Sequence, residues 1–309
     1  MIEQDYQPKV NISDQAPGLI KAFEDQLPET VLHYDHFHLL KASKELVRHL
    51  KNRKESSITA AIKLIYKEEK QRIKGKLTIS LSESITAASA DMHQTGSLYE
   101  QVNTLCSWLQ YDVLQHAGFS PDVRADLYDF IIEELSLLKS DNKKLDSYIR
   151  SLVFQKTRLL AASQALNCRF ETIALENYVS LEDVWKICYT TRFDINAHRY
   201  HLDSQMLADV LGDECYDKVE DEVLLAMAET PRCSSMIENF NSRLRPFLDD
   251  RKQVTQKKLL LCQFILNHRP FQRSHHLHLV GKTPAEAFTN KPHPHWLEML
   301  GYQQFQQAA

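Results

Sequence analysis

"KVNISDQAPGLIKAFEDQLPETVLHYDHFHLL", Lys9 to Leu40, is the stretch on which the fold turns. Its first residues alternate briefly, as a half-buried strand does, and Ser13-Asp14-Gln15-Ala16-Pro17-Gly18 then supplies turn chemistry. "GLIKAFEDQL" repeats apolar residues at helical spacing through Leu19, Ile20, Ala22, Phe23 and Leu27. "TVLHYDHFHLL" gathers the β-branched and aromatic residues of a second strand. The expectation is strand, helix, strand.

Outward from this stretch the period changes. Lys41 to Glu229 is a succession of helical patterns, with wide apolar faces in Phe130–Leu138, Tyr148–Ala165 and Leu181–Tyr189. Breaks at Gly75, at Gly96, at Gly118 with Ser120-Pro121, at Asp141-Asn142 and at Gly212 predict about seven to nine helices. "KLTISLSESITAAS", Lys76 to Ser89, suits a helix or a short strand equally. From Thr230 onward the local signals are dense. Ser235-Met236-Ile237-Glu238 reads as a capping box, Val254 to His268 as an amphipathic helix, and Thr283-Pro284-Ala285-Glu286 as a second capping box with Pro at the first helical position. The expected organisation is 1–40, strand–helix–strand; 41–229, all helical; and 230–309, a further part of the first region's fold.

Composition agrees with a mainly helical chain. Of 309 residues 43% are apolar, enough for a substantial core. Only 7 are Gly and 10 Pro, where average usage gives roughly 20 and 15, which argues against sandwiches, barrels and glycine-looped nucleotide folds. No run approaches the roughly 18 apolar residues of a membrane span, and Met1 to Asn11 is too polar for a signal peptide, so a cytoplasmic location without membrane attachment is expected. Cys106, Cys168, Cys188, Cys215, Cys233 and Cys262 stand far apart with no CxxC pair and are expected to be reduced core residues.

The formal charge of −4 conceals blocks. Lys41 to Lys76 holds 12 basic against four acidic residues, Arg243 to Lys291 holds 10 against three, and Asp203 to Glu229 is strongly acidic. Two basic blocks suit a polyanion, although solvated helix faces would look the same.

Three features carry chemistry. Asp14 follows a strand and precedes a Pro-Gly turn, a position that suits a metal ligand as well as an N-cap. Asp35 and His38 form D-x-x-H at the end of the second strand, where His33, His36 and His38 would share one face of an extended segment. A hydrogen-bonded corner fits them better than zinc, which wants four well-placed ligands. Glu238 shares a helix face with Asn241, Ser242 and Arg245, an arrangement suited to metal-assisted phosphodiester chemistry, with capping as the structural alternative. Lys41, Lys44, Arg48, Lys51 and Arg53, on a helix after the D-x-x-H segment, are the candidates for phosphate contacts. His268, His275, His276, His278, His293 and His295 crowd the end of the chain in loop contexts that point to surface positions.

In their order and spacing, "NISDQAPGLIKAF", "VLHYDHFHLL", "SSMIENFNSRLRPFL", "ILNHRPF" and "GKTPAEAF" resemble prokaryotic DDE transposases of the insertion-sequence type. More narrowly, the chain is similar to those with a large helical insertion in a ribonuclease H-like core, a group that includes the Mutator-like and hAT transposases. The resemblance implies a mainly α fold in which an incomplete ribonuclease H-like α/β core is interrupted by a large all-α insertion. It makes Asp14 the second catalytic carboxylate, Asp35 and His38 the D-x-x-H pair, Glu238 the last catalytic carboxylate, and Asn241 and Arg245 supporting positions on the catalytic helix.

The family's first catalytic Asp has no counterpart, because only 13 residues precede Asp14, and Glu3 and Asp5 lie in a polar stretch without strand pattern. The expectation is the C-terminal part of a transposase, binding Mg²⁺ or Mn²⁺ weakly through Asp14 and Glu238 and not cleaving DNA alone. Its implied partners are the DNA of transposon ends and a second copy or a full-length transposase, with nucleoid association. The alternative is a non-catalytic helical DNA-binding or interaction module, such as a truncated regulator of a complete transposase.

Overall fold

Val10–Ser13 (β1) and Val31–Tyr34 (β2) pair in parallel, with Val10 opposite Val31 and Ser13 opposite Tyr34. Parallel strands cannot be joined by a tight turn, and Pro17–Gln26 (α1) provides the crossover. The computed structural model describes residues 10–13, 17–77, 79–138, 142–231, 255–273 and 279–302. Strand β2 stops earlier than its sequence suggests. Asp35 accepts a hydrogen bond from the Phe37 amide at 2.8 Å and caps a helix that begins at His36, so His36 and His38 lie on a helix and share no strand face with His33.

That helix, α2 (His36–Ile73), is 38 residues long. It buries His36, Leu39, Ser43, Leu46, Leu50, Ser57 and Ala61, at intervals of three, four and seven. This is the period of a coiled-coil seam. Its partner is α3 (Ile79–Trp108), which buries Thr95, Val102, Leu105 and Cys106. Ser57 Oγ meets Thr95 Oγ1 at 2.7 Å and Lys54 Nζ meets Glu100 Oε1 at 2.6 Å, which fixes an antiparallel hairpin. The connection turns at Gly75, whose φ of +65° is a conformation glycine adopts without strain. The segment 76–89 therefore resolves as helix from Ile79. Gly96 causes no break, because the roughly 1 kcal/mol cost of a mid-helix glycine is outweighed by the packing of α3 on α2.

α3 ends in a π-helical segment, Leu109–Val113, closed by the Leu114 amide on the Leu109 carbonyl at 3.0 Å. There follow α4 (Pro121–Leu137), α5 (Lys143–Asn177), α6 (Leu181–Thr190), α7 (His198–Leu211) and α8 (Asp213–Glu229). Asn142 and Ser180 cap α5 and α6, accepting from the Lys144 and Asp183 amides. Helix α5, roughly 50 Å long at 1.5 Å per residue, serves two cores. Its first half packs Leu145, Tyr148 and Leu152 with Tyr34, the base of α2, α3 and α4. Its second half packs Leu166, Phe170 and Ile173 with α6 and α8.

The chain divides into two compact units, Met1–Ser234 and Ser235–Ala309. In the second, α9 (Gln256–His268) is capped by Thr255, slightly inside the expected start. Helix α10 (Pro284–Thr289) opens with the capping box read from the sequence: Thr283 Oγ1 accepts from the Glu286 amide at 3.1 Å and Glu286 Oε2 accepts from the Thr283 amide at 2.8 Å. α11 (Trp296–Met299) follows. Ser235–Glu238, the other proposed box, lies outside the described residues. No helix among the described residues is long and apolar enough to cross a membrane. Cys106, Cys188 and Cys262 are buried thiols as expected, but Cys168 is exposed on α5, because it follows the outward side of a helix whose seam runs through Leu166 and Phe170.

Candidate functional site at the carboxyl edge of the strands

The register of the strands defines the site. Ser13, the residue before Asp14, stands opposite Tyr34, the residue before Asp35. Ligand sites of parallel α/β units lie outside the carboxyl ends of the strands, and this pair has one such edge. Asp14, Glu238, Asn241 and Arg245 lie outside the described residues.

Asp35 is fully buried. Its Oδ1 holds the start of α2, and its Oδ2 lies 3.8 Å from His38 Nε2, farther than a hydrogen bond. D-x-x-H thus reads as a corner built on a helix cap, with His38 one turn above Asp35. His36 turns to the other side, its Nε2 2.8 Å from the Leu159 carbonyl, and fastens the start of α2 to α5.

Two further histidines, which the sequence did not single out as a pair, tie the end of the first unit to this edge. His33 of β2 hydrogen-bonds to the Pro231 carbonyl. His116 Nε2 lies 2.7 Å from the Thr230 carbonyl. Burial pushes the His33 imidazole below its ordinary range, against the opposing pull of that hydrogen bond. Pro231 is therefore anchored beside β2, and Thr230 on His116. No sequence signal marked these contacts, since each joins residues more than 100 positions apart.

Arg124 is the other feature missed. It is buried at the start of α4 and donates to the carbonyls of Val113, Gln115, His116 and Phe119, knotting the irregular stretch after the π segment. Gly118 leaves room for it: a Cβ there would come within 2.9 Å of the guanidinium.

The basic residues beyond Asp35 are exposed. Lys41, Lys44, Arg48 and Lys51 follow one another at three and four residues along one stripe of α2. Arg53 is not part of that stripe, being about 160° from it at roughly 100° per residue. Lys51 leans toward Glu55 at 3.9 Å. The other three have no ion pair among the described residues, so the stripe presents its charge to solvent.

A metal does not fit the described residues alone. Asp35 is committed to the cap, and no group of three His, Cys, Asp or Glu side chains among the described residues could hold an ion. His268 and His293, within the histidine-rich end, meet at 3.1 Å, while His293 Nε2 also lies 2.8 Å from Thr283 Oγ1. These rings are half-buried packing partners, which corrects the purely surface placement expected for them.

Comparisons with family models, with curated proteins and with solved structures found no match to this chain.

Proposed function

We propose that the chain is a transposase-like DNA-binding protein, an incomplete ribonuclease H-like core carrying an all-α insertion over 41–229. The observation that carries this reading is the parallel pairing of β1 with β2, which puts the residues before Asp14 and Asp35 in register. The order of the motifs along the chain, Asp14, then Asp35 and His38, then Glu238, supports it further. A duplex lying along that edge would be met by the stripe of Lys41, Lys44, Arg48 and Lys51 on the helix that Asp35 opens. The transposase mechanism needs three carboxylates around two divalent ions about 3.5 to 4 Å apart. The counterparts of two of the three are Asp14 and Glu238, and two carboxylates would hold Mg²⁺ or Mn²⁺ only weakly, so these residues would bind DNA without cutting it.

Fluorescence anisotropy with duplex DNA at varied salt tests the binding. The log affinity should fall with log salt at about −0.9 per phosphate neutralised, and each of Lys41→Glu, Lys44→Glu and Arg48→Glu should flatten the slope by about one. A salt-independent affinity, or a slope unchanged in all three variants, removes the DNA reading. Incubation of nicked-circle substrates with Mg²⁺ or Mn²⁺ tests the second part: metal-dependent cleavage abolished by Glu238→Gln would show that these residues suffice for chemistry.

A further inference from the structure

The outer half of the α2–α3 hairpin, beyond the Ser57–Thr95 contact, carries two neighbouring stripes. Lys63, Lys67, Lys70 and Lys74 recur every three or four residues along α2 and its cap, with no ion pair among the described residues. Beside them run Ile62, Tyr66 and Ile73, with Ile73 81% exposed. Among the described residues only α3 accompanies this half of the helix, since the contacts of α2 with the first core involve Leu39, Leu46 and Leu50 at its base. Nucleic acid would neutralise the lysines and leave the apolar stripe wet. The occupant must offer carboxylates and an apolar wall together.

The first unit contains such a surface. A groove of about 930 Å³ lies among the start of α4, the second half of α5, α6 and α7. Helix α7 buries none of its residues, and its Met206 and Val210, one turn apart, join Val123 as an exposed apolar wall, with Val210 74% exposed. The groove's cations are already matched: Lys186 by Glu182 and Asp183 at 2.9 and 3.2 Å, Arg199 by Asp203 at 2.6 Å. Asp122 and Glu171 line it with no cation paired to them among the described residues. Neither the groove nor the second core includes any residue of α2, so the outer half of α2 does not fill this groove within its own chain.

We infer that the outer half of the hairpin of one chain docks in the α4–α7 groove of a second copy, and that two chains exchange arms reciprocally about a two-fold axis. Lys67 and Lys70 meet Asp122 and Glu171, while Tyr66 and Ile73 cover the wall of Met206 and Val210. Reciprocity doubles the buried area toward the 1,200 Å² or so that stable interfaces need. The interface stands apart from the DNA reading, since neither surface includes Lys41, Lys44, Arg48 or Lys51.

Sedimentation velocity of the full chain at micromolar concentration tests it. Wild type should sediment as a dimer that dissociates as salt rises. The arm variant Lys67→Glu/Lys70→Glu and the groove variant Asp122→Lys/Glu171→Lys should each be monomeric with unchanged circular dichroism. Mixed in equal amounts, the two should form a heterodimer, because the acidic arm then faces a basic groove and the basic arm an acidic one. A monomeric wild type overturns the inference, as does a dimer that survives both variants or a mixture that stays monomeric. So does a monomeric wild type whose arm variant loses affinity for DNA or for anionic vesicles, since that outcome assigns the arm to another partner.

Discussion

The two halves of α2 share one seam period and differ in what fills it. From His36 to Leu50 the seam is mostly large and apolar, and residues of β2, α3, α4 and α5 join it in one core. From Ser57 onward the buried seam positions are Ser57 and Ala61, and the larger apolar side chains, Ile62, Tyr66 and Ile73, stand outside. A helix needs continuity of hydrogen bonds to propagate but a partner surface to be stable. The base takes that surface from the whole unit, whereas the outer half takes it from one helix only.

Truncation should separate the halves most strongly. Leu50→Ala, in a fully buried site, is expected to cost about 2–5 kcal/mol by urea denaturation, whereas Ile73→Ala, 81% exposed within one chain, should stay within about 0.5 kcal/mol in the monomeric Lys67→Glu/Lys70→Glu background. Similar losses at both sites would mean that the outer half is covered within a single chain. Next comes the cap. Asp35→Ala removes the acceptor for the Phe37 amide and should cost about 0.5–2 kcal/mol, with Asn recovering most of it. An unchanged midpoint would detach Asp35 from the stability of the base.

The boundary between the halves is a hydroxyl pair, and its effect should be smaller. Ser57 also lies 2.8 Å from the Lys54 carbonyl and Thr95 2.8 Å from the Asp91 carbonyl, so each hydroxyl keeps a partner when the other is removed. A double-mutant cycle of Ser57→Ala and Thr95→Ala should give a coupling of about 0.5 kcal/mol, near the low end for a hydrogen bond. A coupling of about 2 kcal/mol would mark it instead as the bond that holds the arm in place.

How far could the sequence be read? The β1–α1–β2 unit, the capping box at Thr283 and the breaks at Asn142 and Gly212 were legible, because each rests on signals close together in the sequence. The strand reading of 30–40 overran at Asp35, where one carboxylate bonded to one amide outweighs the β propensity of the aromatic residues after it. Gly96 misled, and the segment 76–89 stayed undecided between helix and strand, because pairing with α2 decides both, and pairing is not a local property. The anchoring of Thr230 and Pro231 by His116 and His33 was illegible for the same reason. Of the proposed site, Asp35 and His38 were legible as a structural corner, but the role of Asp35 as a cap appears only once α2 is seen to begin there.

The smallest expected effect is a pH dependence at the base. His33 is held neutral by burial, so its folded affinity for protons lies below that of the unfolded chain, whose ordinary value is 6.5. The unfolded chain then binds more protons as pH falls below about 6.5, and stability, complete above that value, is lost on acidification. His49 and His268 are lowered by burial too and act in the same direction. Urea midpoints at pH 7.5 and 5.5 should differ less in His33→Gln than in wild type, and an equal difference would remove His33 as a source.

The central claim is a division of labour along one helix, with DNA on the base stripe and a second chain on the outer stripe. One titration of labelled duplex DNA, read by anisotropy with sedimentation of the same samples, measures both. Lys41→Glu/Lys44→Glu/Arg48→Glu should lose DNA affinity and its salt slope while remaining dimeric, and Lys67→Glu/Lys70→Glu should lose the dimer while keeping the slope per chain. Loss of both properties in each variant, or the reverse assignment, would contradict the account.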